Sequence, residues 1–278
     1  MPEDISLIEK IKKDLEKSGF GSEMLAIRTF LRRGWECSGG PSFVDRDQNQ
    51  SREFDILAHQ YAIHPQAHRF ICVFTDVAAE VKKSERPWVV FRHAPNSEED
   101  LYHGWTEVLN YSKNLPGSSL MYGDILDDWS LTNRQGWKGY AVHESFKNPD
   151  QPSRWYAAAV AACKAAHHQL DINYSDADND GTGSSEEHPP IAHFVQPLVI
   201  LDGLLFVAEI SDSGELLVAQ ATMASVDFPF SSAAYEAETY RMPLVTLEAL
   251  PEYLELIEQR ANAFLATILE AAGILAEF

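Results

Sequence analysis

The charged tripeptide Glu80-Val81-Lys82 interrupts the most apolar part of the chain, and this constrains the fold more than any other feature. It directly follows Val77-Ala78-Ala79 and is soon followed by Trp88-Val89-Val90-Phe91. Apolar runs of this length favour buried strands, in which side chains two residues apart share a face. Charges in such a setting are costly unless they are paired or bound to a cation. We therefore expect Glu80 and Lys82 to point to the same side of a strand and to carry the chemistry of the protein.

A second acidic segment precedes this tripeptide. The pattern from Arg52 to Ala58 predicts a short strand that the polar turn Asp45 to Gln50 returns antiparallel, with Glu53 and Asp55 on one face. Asp55 itself stands between two apolar residues. The 24 residues from 56 to 79 exceed what a tight hairpin needs, so we expect an insertion there. Two acidic groups and a lysine on neighbouring strands suggest a metal-dependent hydrolase.

Helical periodicity predicts four helices. The first helix is expected over residues 3–17. The second should be capped by Ser22, end at Gly34 and bury Met24, Ile27 and Leu31. An alanine-rich helix capped by Ser153 should run from Trp155 to Gln169, and a C-terminal helix from Pro251 to Gly273.

Strand patterns and breakers fill the rest of the chain. The expected strands are Trp35 to Phe43, Phe70 to Phe74, Trp88 to Phe91, a hairpin from Pro197 to Ile210 turning at Asp202-Gly203, Leu216 to Thr222, and Leu244 to Leu247. Residues 92–151 show no strong periodicity and are interpreted as an elaboration over one edge of the core. The acidic segment from Tyr174 to Pro190 is interpreted as a mobile loop.

Charge is distributed unevenly along the chain. The 278 residues carry a formal net charge of −20, yet residues 1–93 hold 14 basic and 14 acidic side chains. The whole acidic excess lies after residue 93, so the first third would admit a phosphate polyanion far more readily than the rest. The three cysteines lack metal-site or disulfide spacing, and neither a signal peptide nor a membrane-spanning run is evident, so we expect a cytoplasmic protein with no membrane partner.

The order of these motifs resembles the PD-(D/E)XK nuclease superfamily, which has the restriction-endonuclease-like fold. The residues that carry the resemblance are Glu23 in an early helix, Gly34-Trp35 opening a strand, Arg52-Glu53-Phe54-Asp55-Ile56, and Glu80-Val81-Lys82-Lys83-Ser84. The resemblance implies an α/β fold with an αβββαβ core and a mixed central sheet, to which a C-terminal hairpin and helix are added. We expect a single nuclease-like domain over residues 1–278, with its core at about 20–92 and 152–222, the elaboration at 93–151 and the C-terminal helix at about 250–273.

The resemblance also implies roles for particular side chains. Asp55 and Glu80 would bind Mg²⁺ or Mn²⁺, Lys82 would position or activate the attacking water, and Glu23 would assist as a third catalytic and metal-binding acid. The implied activity is phosphodiester hydrolysis, in DNA more than in RNA, and the resemblance suggests a restriction or anti-phage system as its context. Hard oxygen ligands suit Mg²⁺, and a cation neutralises the charge of the phosphoryl oxygens. Three basic residues after the motif could contact phosphates: Lys83, Arg86 and Arg92.

Other interpretations remain open. A catalytically silent nuclease-like scaffold could bind a protein partner through its acidic surface, and a homo-oligomer would suit either function. The segment from Asp176 to Glu187 has the ligand spacing of an EF-hand calcium loop, although Gly183 and the following prolines favour a flexible acidic loop. The four histidines His59, His64, His68 and His93 could suggest zinc, but ordinary surface histidines explain them more simply.

Overall fold

A computed structural model describes residues 2–66, 69–93, 108–116, 138–148, 150–179, 190–235 and 238–274 of the chain. Over these residues the helices are α1 (Pro2–Ser18), α2 (Phe20–Arg32), α3 (Arg154–Asn179) and α4 (Leu250–Ala271). None of these described helices combines the length and the apolar character that crossing a membrane requires.

The strands of the described residues fall into a large sheet and a small hairpin. In chain order they are β1 (Glu36–Gly39), β2 (Ser42–Asp45), β3 (Gln50–Glu53), β4 (Ile56–Gln66), β5 (Arg69–Lys83), β6 (Trp88–His93), β7 (Leu109–Lys113), β8 (Lys138–Glu144), β9 (Ile191–Asp202), β10 (Leu205–Ile210), β11 (Leu216–Ala221), β12 (Met223–Phe230) and β13 (Glu238–Thr246).

The large sheet has eleven described strands and is mixed. Its order is β1-β4-β5-β9-β13-β12-β8-β6-β10-β11, with β7 also paired to β9, while β2 and β3 form a separate hairpin. Strand β5 is antiparallel to β4 and parallel to β9, which is in turn parallel to β13. The expected α/β fold with a mixed central sheet is therefore confirmed.

Helices cover both faces of this sheet near β5. Ala78 packs in one core with Ala162 of α3, whereas its neighbours Val77 and Ala79 pack in another with α2 and α4. Since side chains alternate along a strand, the even-numbered residues of β5 face α3. Glu80 and Lys82 therefore lie on the α3 side of the sheet.

The alanine-rich helix α3 lies close to the sheet, as its small side chains predict. Ala158, Ala159 and Ala162 are fully buried, and Ser153 Oγ accepts a hydrogen bond from the backbone N–H of Tyr156 at 3.2 Å. The helix continues to Asn179. The predicted loop was therefore wrong for residues 174–179, while residues 180–189 lie outside the described part.

Helix α2 differs from its sequence prediction at its start and in its buried face. It begins at Phe20, after Gly19 with φ 89°, so that Ser22 lies in the first turn and is not the cap. The buried residues are Ser22, Ala26 and Phe30, whereas Met24 and Leu31 are exposed. Apolar residues occur on more than one side of this helix, and the side that packs against the core is the one that carries Phe30.

Two predicted strands are each divided in the structure. Gly40, with φ 64°, and the residue after it separate β1 from β2, so Trp35 to Phe43 is not one strand. Strand β3 ends at Glu53 and β4 begins at Ile56. Asp55 lies in the break between them, and Glu53, which is exposed, does not share a strand face with it.

The hairpin predicted from Pro197 to Ile210 does not form. Strands β9 and β10 follow each other in sequence but lie apart in the sheet, because β9 pairs with β5 and β10 with β6. A Cβ atom at Gly203, between the two strands, would come within 2.5 Å of the backbone oxygen of Ser84. The chain therefore needs glycine at this crossing.

The antiparallel hairpins of this region are β10–β11 and β12–β13. The first includes the predicted strand from Leu216, and the second contains β12, which the sequence analysis missed. Residues 92–151 also supply β7 and β8 to the main sheet, so this segment is more than a cover over one edge. The C-terminal helix agrees with its prediction, because α4 starts beside Pro251 and ends before Gly273 with φ 69°.

Candidate active site

A long hairpin places the two central carboxylates opposite each other. Strands β4 and β5 pair antiparallel from Ile56 with Ala79 to Gln66 with Arg69. Continuing this register by one residue puts Asp55 across from Glu80. The 24 intervening residues are thus the two arms of one hairpin and its tip, and the predicted insertion was wrong because extended pairing accommodates them.

Lys82 connects both carboxylates. Its Nζ atom donates to Oε2 of Glu80 at 2.6 Å and to Oδ2 of Asp55 at 3.1 Å. The same Oδ2 atom accepts a hydrogen bond from the backbone N–H of Val81 at 2.7 Å. The structure therefore brings together three of the predicted catalytic residues within hydrogen-bonding distance.

Burial controls the electrostatics of this group. Glu80 is only 6% exposed, and its desolvation raises its pKa to about 7, with Asp55 adding to the rise and Lys82 opposing it. Burial lowers the pKa of Lys82, but the charges and hydrogen bonds of Glu80 and Asp55 raise it by more, so the pKa of Lys82 lies above its ordinary value. Lys82 consequently stays charged at neutral pH, while Glu80 is poised to take up or release a proton.

Glu23 lies near this group but at its border. The side chain is half-buried, and its pKa is raised first by burial and then by the charge of Asp55, while Lys82 lowers it. Among the residues that the structure describes, no three His, Cys, Asp or Glu side chains converge as a metal-binding group. Glu23 therefore faces the Asp55–Glu80 pair without completing a three-carboxylate set.

The group lies where parallel strands end. Lys83, the last residue of β5, pairs with Asp202, the last residue of β9. Oδ2 of Asp202 accepts a hydrogen bond from Ser22 Oγ at 2.5 Å, which ties the first turn of α2, where Glu23 also lies, to the end of β9. In open α/β sheets, ligands bind at the carboxyl ends of the strands.

Sequence reasoning missed the Ser22–Asp202 contact. Asp202-Gly203 reads as an ordinary turn, and Ser22 reads as a helix cap. The signal that could have found Asp202 is its place directly after the apolar run Leu198 to Leu201, which ends a buried strand.

The donor chemistry of the group fits a hard divalent cation. Asp55 and Glu80 offer carboxylate oxygens that face each other, and Glu80 is buried with its charged form disfavoured by desolvation. A cation beside Glu80 would favour its ionised form. A buried ion pair with Lys82 is the plainer structural role of the same atoms.

The predicted phosphate contacts divide into two sets. Lys83 and Arg86 line one cavity of about 660 Å³, which also reaches α1 and the start of α3. Arg92 does not line it, and its Nε atom donates to Oε2 of Glu209 at 2.8 Å. Arg33, at the end of α2, forms an ion pair with Glu258 at 2.5 Å.

The histidine and calcium alternatives involve other parts of the chain. Nδ1 of His59 lies 2.7 Å from Oδ1 of the buried Asp76, which also accepts hydrogen bonds from Asn173 and Gln169 of α3. His68 lies outside the described residues. The first part of the calcium-loop motif, residues 176–179, has helical backbone, and the rest of it is also outside the described residues.

Comparison with known proteins adds no relative. No family model matches the chain, and no curated protein and no solved structure matches it. The interpretation of the site therefore depends on its geometry and on the resemblance of its motifs.

Proposed function

We propose that the protein is a metal-dependent nuclease that hydrolyses phosphodiester bonds, most readily in DNA. The observation that carries this proposal is the convergence of Asp55, Glu80 and Lys82, with the ammonium within 3.1 Å of both carboxylates. Their residue types and order are those that the PD-(D/E)XK resemblance implies. Mg²⁺ or Mn²⁺ is the proposed cofactor.

The order of elements around the site supports the same proposal. Helix α2 is followed by β1, β4 and β5 of the sheet, then by α3 and by β9 parallel to β5. This succession agrees with the αβββαβ core of the restriction-endonuclease-like fold. The β2–β3 hairpin and the strands from β6 to β8 would then be additions to that core.

Each side chain has a role that its contacts support. Asp55 and Glu80 would hold the metal ion, which would neutralise charge on the phosphoryl oxygens. Lys82, charged and held on the same strand face as Glu80, would orient the attacking water and stabilise negative charge as it develops. Glu23 would accept a hydrogen bond from a water near Asp55 instead of binding the metal directly.

The test is a cleavage assay on plasmid, linear DNA and RNA with Mg²⁺ or Mn²⁺. Wild-type protein would be compared with Asp55→Asn and Lys82→Met, each of which should lose about a hundredfold or more of the cleavage rate. Glu53→Gln, an exposed acid on the neighbouring strand, is the matched control and should cleave normally. Cleavage that persists in both site variants, or that is absent with every substrate, contradicts the proposal.

A second candidate is a catalytically silent scaffold that binds a protein. The observation in its favour is a set of exposed apolar side chains on the first two helices, each at least 45% exposed: Leu7, Ile8, Ile11, Leu15, Phe20, Met24, Leu25 and Leu31. Large exposed apolar patches often mark interaction sites. This candidate predicts that Asp55→Asn leaves partner binding intact, whereas Ile8→Glu together with Ile11→Glu abolishes it.

A further inference from the structure

A cavity with basic walls opens beside the candidate active site. Its volume is about 660 Å³, within the range of pockets that hold small ligands or parts of larger ones. Five basic side chains line it: Lys13, Lys17, Lys83, Arg86 and Arg154. They come from α1, the end of β5 with the turn after it, and the start of α3, so three separate elements bring positive charge to one place.

This concentration of charge contrasts with the rest of the chain, whose formal net charge is −20. Of the two acidic residues that line the cavity, Glu144 is already engaged, since it accepts hydrogen bonds from Lys147 at 3.1 Å and from the backbone N–H of Arg154 at 2.8 Å. Arg154 in turn donates to the backbone oxygen of Lys83. The basic side chains thus create a positive electrostatic potential in this cavity, although the protein as a whole is acidic. This potential attracts anions over a distance of about 8–10 Å at moderate salt.

The cavity is continuous with the end of strand β5. Lys83 lines it and directly follows Lys82, which binds Asp55 and Glu80. Lys83 is three positions after Glu80, or about 10 Å along a strand. A strand of nucleic acid bound at the carboxylates is therefore long enough to extend past the end of β5 to the basic cavity.

We propose that the basic cavity binds phosphate groups of a nucleic acid strand on one side of the bond that the Asp55–Glu80–Lys82 group cleaves. This inference rests on the proposed nuclease function and adds to it a binding site for the phosphates that flank the scissile bond. Lys13 and Lys17, one turn apart on α1, supply the outer contacts, and Lys83, Arg86 and Arg154 supply the inner ones.

The test measures binding separately from cleavage. Fluorescence anisotropy with a labelled single-stranded oligonucleotide, the matching duplex and ATP is recorded across a salt series in the absence of divalent metal. The Lys13→Glu/Lys17→Glu variant should bind the single strand at least about tenfold more weakly. A plot of the logarithm of its association constant against the logarithm of salt concentration should be shallower than that of the wild type by about 1.4. The control is Arg28→Glu/Arg32→Glu, which makes the same charge change at the same spacing on α2, at exposed residues outside the cavity, and should keep the wild-type slope.

Each other outcome has a defined meaning. An unchanged slope in the Lys13/Lys17 variant, or an equal fall in both variants, overturns the inference. Binding of ATP that depends on Lys13 and Lys17, without binding of the single strand, overturns the assignment to a polynucleotide. A lowered slope in a protein that cuts nothing contradicts the proposed nuclease function and supports the phosphate site alone, so the two failures are distinguishable.

Discussion

The backbone N–H of Val81 donates a hydrogen bond to Oδ2 of Asp55 at 2.7 Å, although Asp55 lies outside both strands of the hairpin. This bond joins the carboxylate of Asp55 to the backbone of β5 next to Glu80. Because Oδ2 also accepts from Lys82 at 3.1 Å, the side chain of Asp55 is held in one orientation before any ligand arrives. Such preorganisation is what a catalytic carboxylate requires.

Removing the ammonium of Lys82 should expose the repulsion between its two carboxylate partners. Lys82→Met keeps the length of the side chain, and we expect it to lower the free energy of unfolding by about 1–3 kcal/mol in metal-free buffer. Mg²⁺ should stabilise the variant more than the wild type, because the cation compensates the lost charge. Urea unfolding with and without Mg²⁺ measures both effects, and equal stabilisation of the two proteins would argue against a cation at this position.

The buried carboxyl of Glu80 should make stability depend on pH. Its pKa is raised from the ordinary 4.5 to about 7, so the folded state binds more protons than the unfolded state between these values. The free energy of unfolding should therefore decrease as pH rises through this range. Glu80→Gln removes the titrating group, so the stability of the variant relative to the wild type should increase from about pH 4.5 to about pH 7 and stay constant above it. Metal-free unfolding curves at several pH values test this, and parallel pH profiles for the two proteins would contradict it.

His59 should contribute a dependence of its own. Its hydrogen bond to Asp76 raises its pKa above the ordinary 6.5, although partial burial opposes the rise. The stabilisation is fully present below about pH 6.5 and is lost as pH rises through the folded-state pKa. The difference in unfolding free energy between wild type and His59→Gln should therefore be larger at about pH 5.5 than at about pH 9. A difference that stays constant over this range would show that folding does not raise the pKa of His59.

Glu258 should be important for joining α2 to α4. It accepts two hydrogen bonds from Arg33, at 2.9 and 2.5 Å, and a third from the indole N–H of the buried Trp35 at 2.9 Å. Glu258→Ala leaves that N–H unpaired and should cost about 1–3 kcal/mol of unfolding free energy. The matched control is Glu255→Ala, because Glu255 is 56% exposed and lies 4.0 Å from Arg33. It should change stability by less than about 0.5 kcal/mol, and similar losses in the two variants would contradict the prediction.

The elements that local patterns describe well could be predicted from the sequence. Helix α4 shows its apolar period together with Pro251 and Gly273, and α3 shows its alanines and Ser153, so both were recognised. The long-range pairing of β9 with β5 has no local signature, since residues 80 and 199 meet only because the whole sheet forms. The Asp202-Gly203 turn therefore suggested a hairpin, while the structure uses it to cross to another strand.

In the site, too, local contacts could be predicted from the sequence and long-range contacts could not. Alternation along β5 predicted that Glu80 and Lys82 share a face, and their 2.6 Å contact confirms this. The position of Asp55 could be predicted from the sequence only in part. Asp55 lies in the break between β3 and β4, and both this break and its hydrogen bond from Val81 depend on the register of the hairpin. The contact of Ser22 with Asp202 joins residues 180 positions apart, and no sequence pattern relates them.

The hairpin that joins Asp55 to Glu80 also has a consequence for how the chain can vary in length. Adding residues at its tip, between Gln66 and Arg69, would extend the two arms without moving the paired ends where the site lies. Adding one residue within a single arm would instead shift the register and turn either Asp55 or Glu80 to the opposite face of the sheet. Relatives of this protein should therefore tolerate large length differences at the tip and almost none along the arms.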